Sequence, residues 1–370
     1  MKILLLANHF NTGGISTYLL TLIKGYAARG HKVFVATSGG ECVAEAEALG
    51  AHHVLVPGLK VKCECHPGLL SCAMLLSTLV KDESIDILHP QTRVTQSVAA
   101  FVGVLSGRPY VSTCHGFFKP HIFRILFPLW GRKAIAISGP VAKHLTKDLW
   151  VPSSRVVFVP NGIDSQKFFP VTIEQHHALR ERFGVGAAPL VGIIARLSDV
   201  KGHAYLIQAM NELVHGMPGV KCLIVGEGPL ERELKEQVSH LKLEASVKFV
   251  KMNGRPSELL PMFDVVATPS LQEGLGLSVM EAQACGVPVV ASRVGGLVEA
   301  VKDGETGILV PPRDHLALAD ALMKILADKH LASRFGLAGR EWIMKNFAVD
   351  QMVDRTLAVY ENVLKEKRGR

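Results

Sequence analysis

Two glutamates, Glu273 and Glu281, bracket the glycine-rich run "EGLGLSVME", with seven residues between them. Paired carboxylates hydrolyse sugars with retention when they stand about 5 Å apart across a glycosidic bond. The surrounding sequence argues for a different use. "TPS" closes a β-branched strand, "LQEGLGL" reads as a loop, and a helix is expected from about Leu277 to Cys285, stopped by "GVP". Glu273 then precedes the helix and Glu281 lies on its second turn, off any shared face. That spacing suits two separate contacts on one long ligand. Backbone N–H groups of Gly274, Leu275, Gly276 and Leu277 lead into the helix start, where an anion is stabilised. The plainer alternative makes Glu273 a helix-start carboxylate and Glu281 a surface residue.

Other loops carry chemistry-bearing residues at strand ends. In "ARLSDVKG", Arg196 and Lys201 flank a turn after an apolar strand. A guanidinium grips two phosphate oxygens and an ammonium acts as a point charge, so the pair suits a diphosphate. In "ANHFNTGGIST", Gly13 and Gly14 precede a helix expected to begin near Ser16, which allows close backbone approach to a phosphate. The G-x-G-x-x-G fingerprint is missing, so a dinucleotide oxidoreductase is poorly supported. His115 follows the strand "YVSTC", and "VPNGID" (159–164) reads as a turn. "CECH" (63–66) with Cys72 offers soft metal ligands, but its C-x-C spacing is less apt for structural zinc than C-x₂₋₄-C.

These loops need strands to position them. Thirteen short apolar runs alternate with helix-length segments: 2–8, 31–37, 52–56, 86–91, 110–116, 133–138 and 156–162, then 190–197, 221–228, 247–250, 265–270, 288–292 and 307–310. Several lack polar alternation, as strands buried on both faces of a parallel sheet do. The pattern lapses around 165–188 and restarts, which predicts a joint between two doubly wound α/β domains. A chain of 370 residues fits two domains. The boundaries expected are 1–164, with a returning C-terminal helix at about 350–370, and 165–349.

Nearly half the residues are apolar, which argues against disorder, and no apolar run reaches the roughly 20 residues that span a bilayer. Seven cysteines and an N-terminus that reads as a strand predict a reduced, cytoplasmic setting. The net charge of +8 is uneven: residues 1–165 carry 16 Lys and Arg against 9 Asp and Glu, and residues 166–370 carry 25 against 24. The basic half suggests an anionic partner or an ordinary basic surface. "FFKPHIFRILFPLWGRK" (117–133) mixes aromatic, aliphatic and basic residues. It reads either as an interfacial membrane patch or as a core-facing helix ended by Pro128.

Taken together, "GGISTYLLTL", "CHG", "VPNGID", "ARLSDVKG", "EGLGLSVMEAQACGVPVVAS", "VGGLVEAV" and "DGETGILVPPRD" resemble the retaining glycosyltransferases of family 4. The resemblance implies the GT-B fold, two doubly wound Rossmann-like domains facing across a deep cleft. The first would bind the acceptor and the second the nucleotide-sugar donor. It implies that Arg196 and Lys201 neutralise the donor diphosphate. Glu273, with the backbone from Gly274 through Leu275 and Gly276 to Leu277, would hold sugar hydroxyls and phosphate. Glu281 would bond the ribose, Gly13 and Gly14 would approach the donor, and His115 would lie near the sugar. No cofactor and no divalent metal are implied, and the sequence has no D-x-D element.

The expected reaction moves a sugar from a UDP- or GDP-sugar to a hydroxyl acceptor, in cell-envelope glycolipid or polysaccharide synthesis. The family's strand before the base pocket commonly ends in glycine, whereas "KFVKMNG" has Lys251, which leaves the base open. A lipid-linked acceptor, with peripheral contact at the inner face of the membrane through 117–133, would use the basic half, as would a phosphorylated soluble acceptor. No nucleic-acid partner is expected. A nucleotide-sugar hydrolase or 2-epimerase, and a non-catalytic nucleotide-sugar-binding protein, are the alternative readings.

Overall fold

The computed structural model describes residues 1–61, 63–64, 66–120, 122–251 and 256–368. The chain forms two compact units, Met1–Gly162 with Val349–Arg370, and Ile163–Ala348. Among the described residues no helix is long and apolar enough to cross a membrane.

The first unit contains strands β1 (Lys2–Leu6), β2 (Lys32–Thr37), β3 (Ala51–Leu55), β4 (Ile87–Pro90), β5 (Ser112–Cys114), β6 (Ala134–Ala136) and β7 (Val156–Phe158). They pair in parallel in the order β3-β2-β1-β4 and β5-β6-β7, and a Leu88–Tyr110 bridge joins the two sets. The reason for non-alternating apolar strands is visible in β1. Ile3 and Leu5 face one layer, where they pack with Leu19, Leu22 and Tyr26 of helix Gly14–Ala28. Leu4 and Leu6 face the other, with Leu69, Leu76 and Val98 from helices Gly68–Asp82 and Arg93–Ser106. Successive side chains therefore meet a helix layer whichever way they point. The C-terminal helix Val349–Arg368 belongs to this unit. Its Val353 and Tyr360 join the first layer, and Arg29 pairs with Asp350 at 3.0 Å and Asp354 at 2.8 Å.

The second unit contains β8 (Leu190–Ile194), β9 (Lys221–Val225), β10 (Val247–Val250), β11 (Val265–Thr268), β12 (Val289–Ser292) and β13 (Ile308–Val310). All are parallel, in the order β10-β9-β8-β11-β12-β13. This is the doubly wound 3-2-1-4-5-6 order, which reverses between β8 and β11 and opens a crevice at their carboxyl ends. Val191 and Ile193 of β8 pack with Leu206, Met210 and Leu213 of helix His203–Gly216. Arg180, 4% exposed, ties the entry to β8 by an ion pair to Asp264 at 3.0 Å.

Candidate active site

In the second unit, the loops leaving β8 and β11 carry the residues that sequence reasoning singled out. The loops are stitched together: Leu271 N–H donates to the Val200 carbonyl at 2.8 Å. Gly202 makes that approach possible. Its φ is +71°, and an added Cβ would lie 1.9 Å from the Pro269 carbonyl oxygen. Lys201 is thereby held against the β11 loop, and its Nζ donates to Glu273 Oε2 at 2.6 Å. Ser270 Oγ donates to the same oxygen at 3.3 Å. Sequence reasoning gave Lys201 and Glu273 separate ligand contacts; the structure also pairs them with each other. Arg196 is exposed and makes no ion pair or hydrogen bond with a described residue, so its guanidinium is available to an anion.

Helix Leu277–Ala284 starts directly after this loop, close to the expected bounds. Gly276 caps it at φ +92°, with no side-chain cap and no acidic residue in the first turn. The leading N–H groups thus keep their partial positive charge. Gly296, in the loop after β12, donates its N–H to the Glu273 carbonyl at 3.1 Å and fixes the other side of the loop. His203 was passed over in the sequence, although it directly follows Gly202. It is 1% exposed, and burial, with the Lys201 ammonium second, lowers its pKa to about 4. It is a neutral wall beside the basic pair.

The surface alternative for Glu281 is wrong. The residue is 7% exposed, because helix Leu277–Ala284 is buried nearly all round. Burial raises its pKa to about 8, partly opposed by Lys167. The carboxyl makes no hydrogen bond with a described residue. At neutral pH it is largely protonated and can both donate and accept, which suits a hydroxyl-bearing ligand.

The first unit has its own reversal of strand order, between β1 and β4. Gly13 and Gly14 follow β1 and are exposed. Gly14 begins helix Gly14–Ala28, two residues before the expected start. Gly13 is extended, at φ 161°, with no atom within 4 Å of a built Cβ. Neither strain nor packing demands glycine there; its effect is to leave the uncapped helix start bare.

His115 follows β5, half-buried, with its ring edge-on to Tyr18 at 4.9 Å. Its Nε2 lies 2.9 Å from Gln91 Oε1, an acceptor, so Nε2 carries the proton and Nδ1 is left to accept. Burial lowers its pKa to about 4, so it is no cation at pH 7. Behind it His89, wholly buried, bonds Thr113 Oγ1 at 2.7 Å and the Tyr360 hydroxyl at 2.5 Å. Burial, then the His115 charge, lowers the His89 pKa to about 3.

The remaining candidates are dispersed. Asn161, expected as simple turn chemistry, is 3% exposed, and its Oδ1 has no partner among the described residues. Of the helix expected within 117–133 and ended by Pro128, one short stretch forms. A five-residue helix, Ile122–Leu126, stands there, with Leu126 65% and Phe127 59% exposed. Position 121 lies outside the described residues, as do Cys65 of "CECH" and positions 252–254 beyond Lys251. Lys251 itself is exposed and pairs with Glu227 at 3.5 Å. Among the described residues no group of three or more His, Cys, Asp or Glu is placed to hold a metal ion.

Comparison with known proteins gives two family matches along the chain. Residues 12–167 match the family described as Glycosyltransferase Family 4, and residues 178–342 match Glycosyl transferases group 1. The chain is 39% identical over 207 residues to a GDP-mannose-dependent alpha-(1-6)-phosphatidylinositol monomannoside mannosyltransferase of Mycolicibacterium smegmatis. That match spans about half the length of each chain, 53% of both. It is 27% identical over 372 residues to an N-acetyl-alpha-D-glucosaminyl L-malate synthase of Bacillus anthracis, covering 97% of this chain and 96% of that one. An Anabaena protein solved in complex with UDP and glucose shares the fold, with a TM-score of 0.87 at 23% identity over 98% of this chain and 100% of that one. A glycosyltransferase from Rickettsia africae does so with a TM-score of 0.86 at 24% identity over 98% of each chain. The chain belongs to the family 4 glycosyltransferases, enzymes of the GT-B fold.

Proposed function

We propose that the chain moves a sugar from a nucleotide-diphosphate sugar to a hydroxyl acceptor, with retention of the anomeric configuration. The observation that carries this reading is the cluster at the carboxyl edge of β8 and β11: Arg196 with no ion pair among the described residues, Lys201 held by Glu273, and the helix start at Leu277 without a side-chain cap. Cleavage of the anomeric C–O bond leaves a diphosphate with an added negative charge, and the anomeric carbon becomes cationic. Arg196 takes the diphosphate by its guanidinium fork, Lys201 adds a point charge, and the helix N–H groups add dipoles. All three are in place before reaction, so little reorganisation is needed. Glu273 keeps Lys201 oriented and accepts from a sugar hydroxyl. Glu281, as a buried neutral acid, bonds the ribose hydroxyls.

The acceptor hydroxyl attacks on the face the diphosphate leaves. The new C–O bond forms as the old one breaks, and the acceptor proton passes to a departing phosphate oxygen. The cationic groups supply the charge that a divalent ion supplies in other transferases, so we propose a metal-independent reaction without cofactor. The family resemblance alone assigns Gly13 and Gly14 to donor approach and His115 to the sugar. His115 would act as a neutral hydrogen-bonding group, in keeping with its low pKa. A relative named for GDP-mannose and a fold neighbour solved with UDP support a nucleotide diphosphate as the donor class. The basic character of residues 1–165 and the phosphatidylinositol-linked substrate in that relative's name support an anionic, lipid-linked acceptor used in envelope glycolipid or polysaccharide synthesis.

The test is transfer from UDP- and GDP-sugars to glycolipid and phosphorylated acceptors in excess EDTA, with the product anomer read by NMR. Retention and undiminished rate in EDTA are expected. An inverted product, or sugar released free or isomerised without acceptor, would replace this reading with another.

A further inference from the structure

A cavity of about 520 Å³ opens in the unit Met1–Gly162, away from the strand ends that carry His115. Its walls come from the segments that enter β5, β6 and β7: Arg108–Tyr110, Pro128–Arg132 and Val151–Arg155. These strands are parallel, so all three segments lie at the amino edge, whereas His115 leaves β5 at the carboxyl edge. Helix Arg93–Ser106 closes one side through Val104, and Lys367 of the C-terminal helix approaches from the other.

The charge on this cavity is one-signed. Arg108, Arg132, Arg155 and Lys367 all line it, and none makes an ion pair with a described residue. Lys133 shows what a satisfied cation looks like in the same region: it pairs with Glu366 at 3.5 Å and donates to the Ser154 carbonyl at 3.1 Å. Four positive charges without an ion pair among the described residues, set around one hollow, attract an anion, and a planar guanidinium can bond two oxygens of a phosphate at once. The rest of the lining is apolar. Val104 is 84% exposed, and Trp130 is 4% exposed with an indole Nε1 that has no partner among the described residues.

The floor is built rather than incidental. Gly131, at φ +77°, lies so close to Tyr110 that an added Cβ would be 2.3 Å from its carbonyl oxygen and 2.7 Å from ring Cδ2. The hollow is of the size that holds a small organic ligand, far larger than a phosphate ion needs.

We propose that this cavity binds a phosphomonoester carried on an apolar body, with Arg132 and Arg155 taking the phosphate and Trp130, Val104 and Val151 taking the body. The ligand source is a membrane phospholipid or a soluble phosphorylated amphiphile. Both present the same chemistry, at a site separate from the carboxyl-edge loops assigned to sugar transfer.

The test is calorimetric titration of the full chain with dihexanoyl phosphatidic acid, dihexanoyl phosphatidylcholine and inorganic phosphate. Phosphatidic acid should bind at least tenfold tighter than either of the others, and more weakly as salt rises. The double variant Arg132→Gln/Arg155→Gln should lose at least tenfold. The exposed substitution Val104→Asp should weaken binding without unfolding the chain, and nucleotide affinity, measured alongside, should be unchanged in both variants. Sedimentation with vesicles containing phosphatidic acid separates the sources: capture that both variants lose assigns the lipid, and binding of the short-chain compound alone assigns the soluble amphiphile. Equal affinity for phosphatidylcholine, equal affinity for inorganic phosphate, no binding of phosphatidic acid, or unaltered binding by the variants would overturn the proposal.

Discussion

Replacing Lys201 by alanine removes a cation and strands an anion. Lys201 Nζ lies 2.6 Å from Glu273 Oε2, with the side chains 26% and 13% exposed. Two unit charges at that separation attract by about 6 kcal/mol at an effective dielectric of about 20, before desolvation and side-chain ordering are subtracted. Contacting pairs in double-mutant cycles retain about 0.5–3 kcal/mol, and the partial exposure of this pair points to about 1–2 kcal/mol. Loss of one preorganised positive group at a developing anion costs about 10²- to 10³-fold in kcat. Lys201→Ala should therefore lower turnover by that factor. Part of the loss arises because the orphaned Glu273 carboxylate repels the departing diphosphate. Glu273→Gln in the Lys201→Ala background removes that repulsion. The double variant should therefore be faster than the product of the single effects by about 5- to 30-fold, the equivalent of about 1–2 kcal/mol. The assay is steady-state release of nucleoside diphosphate, with kcat and KM determined for all four proteins of the cycle. Turnover near the parent level in Lys201→Ala, or strictly multiplicative losses, would refute the argument that the pair acts as a unit on the leaving group.

Two further outcomes follow from local structure. The carboxyl of Glu281 has its pKa raised from 4.5 to about 8 by burial. The folded state therefore holds a proton that the unfolded chain releases, and stability falls as pH rises from about 4.5 to about 8, then levels. The full span is worth about 4–5 kcal/mol at most. Glu281→Gln should flatten that slope, giving a higher melting temperature than the parent at pH 8.5 but not at pH 4.5, while weakening nucleotide binding; parallel melting curves across pH would count against a buried neutral acid. Gly202→Ala meets the Pro269 carbonyl as well as a left-handed φ, whereas Gly184, at φ +63°, has nothing within 4 Å. Chemical denaturation should give a loss of about 2–3 kcal/mol at Gly202 and about 1 kcal/mol at Gly184, and equal losses would show that the contact between the β8 and β11 loops is not what glycine serves.

The fold was readable because parallel strands buried on both sides need uninterrupted apolar runs. All thirteen runs became strands, but many stop short of their expected ends. The run 190–197 ends its strand at Ile194: Ala195 N–H donates to Val225, the last residue of β9, and Leu197 N–H donates to Glu227 in the loop beyond it. The overrun residues are those that turn the chain into the site.

Pairings across the strand reversal were not readable. Lys201 and Glu273 meet because β8 pairs with β11 rather than with a sequence neighbour alone, and no local spacing encodes that. The burial of Glu281 was hidden because a helix covered nearly all round leaves no polar face to mark which residues are exposed. In 117–133 the aromatic and aliphatic residues suggested either a membrane patch or a core helix. The structure divides them, burying Trp130 and exposing Leu126 and Phe127.

The central claim is that the carboxyl edge of β8 and β11 binds a nucleotide-diphosphate sugar. It is tested most directly by melting the protein with UDP- and GDP-sugars, each at a concentration well above its expected Kd, beside the variant Arg196→Ala. A ligand at about 100 times its Kd adds about 2.7 kcal/mol, which is about 5–10 °C for a unit of this size. The account predicts a shift of that order with at least one UDP- or GDP-sugar and a much smaller one in Arg196→Ala. No shift with any of them, or the same shift in the variant, would contradict it.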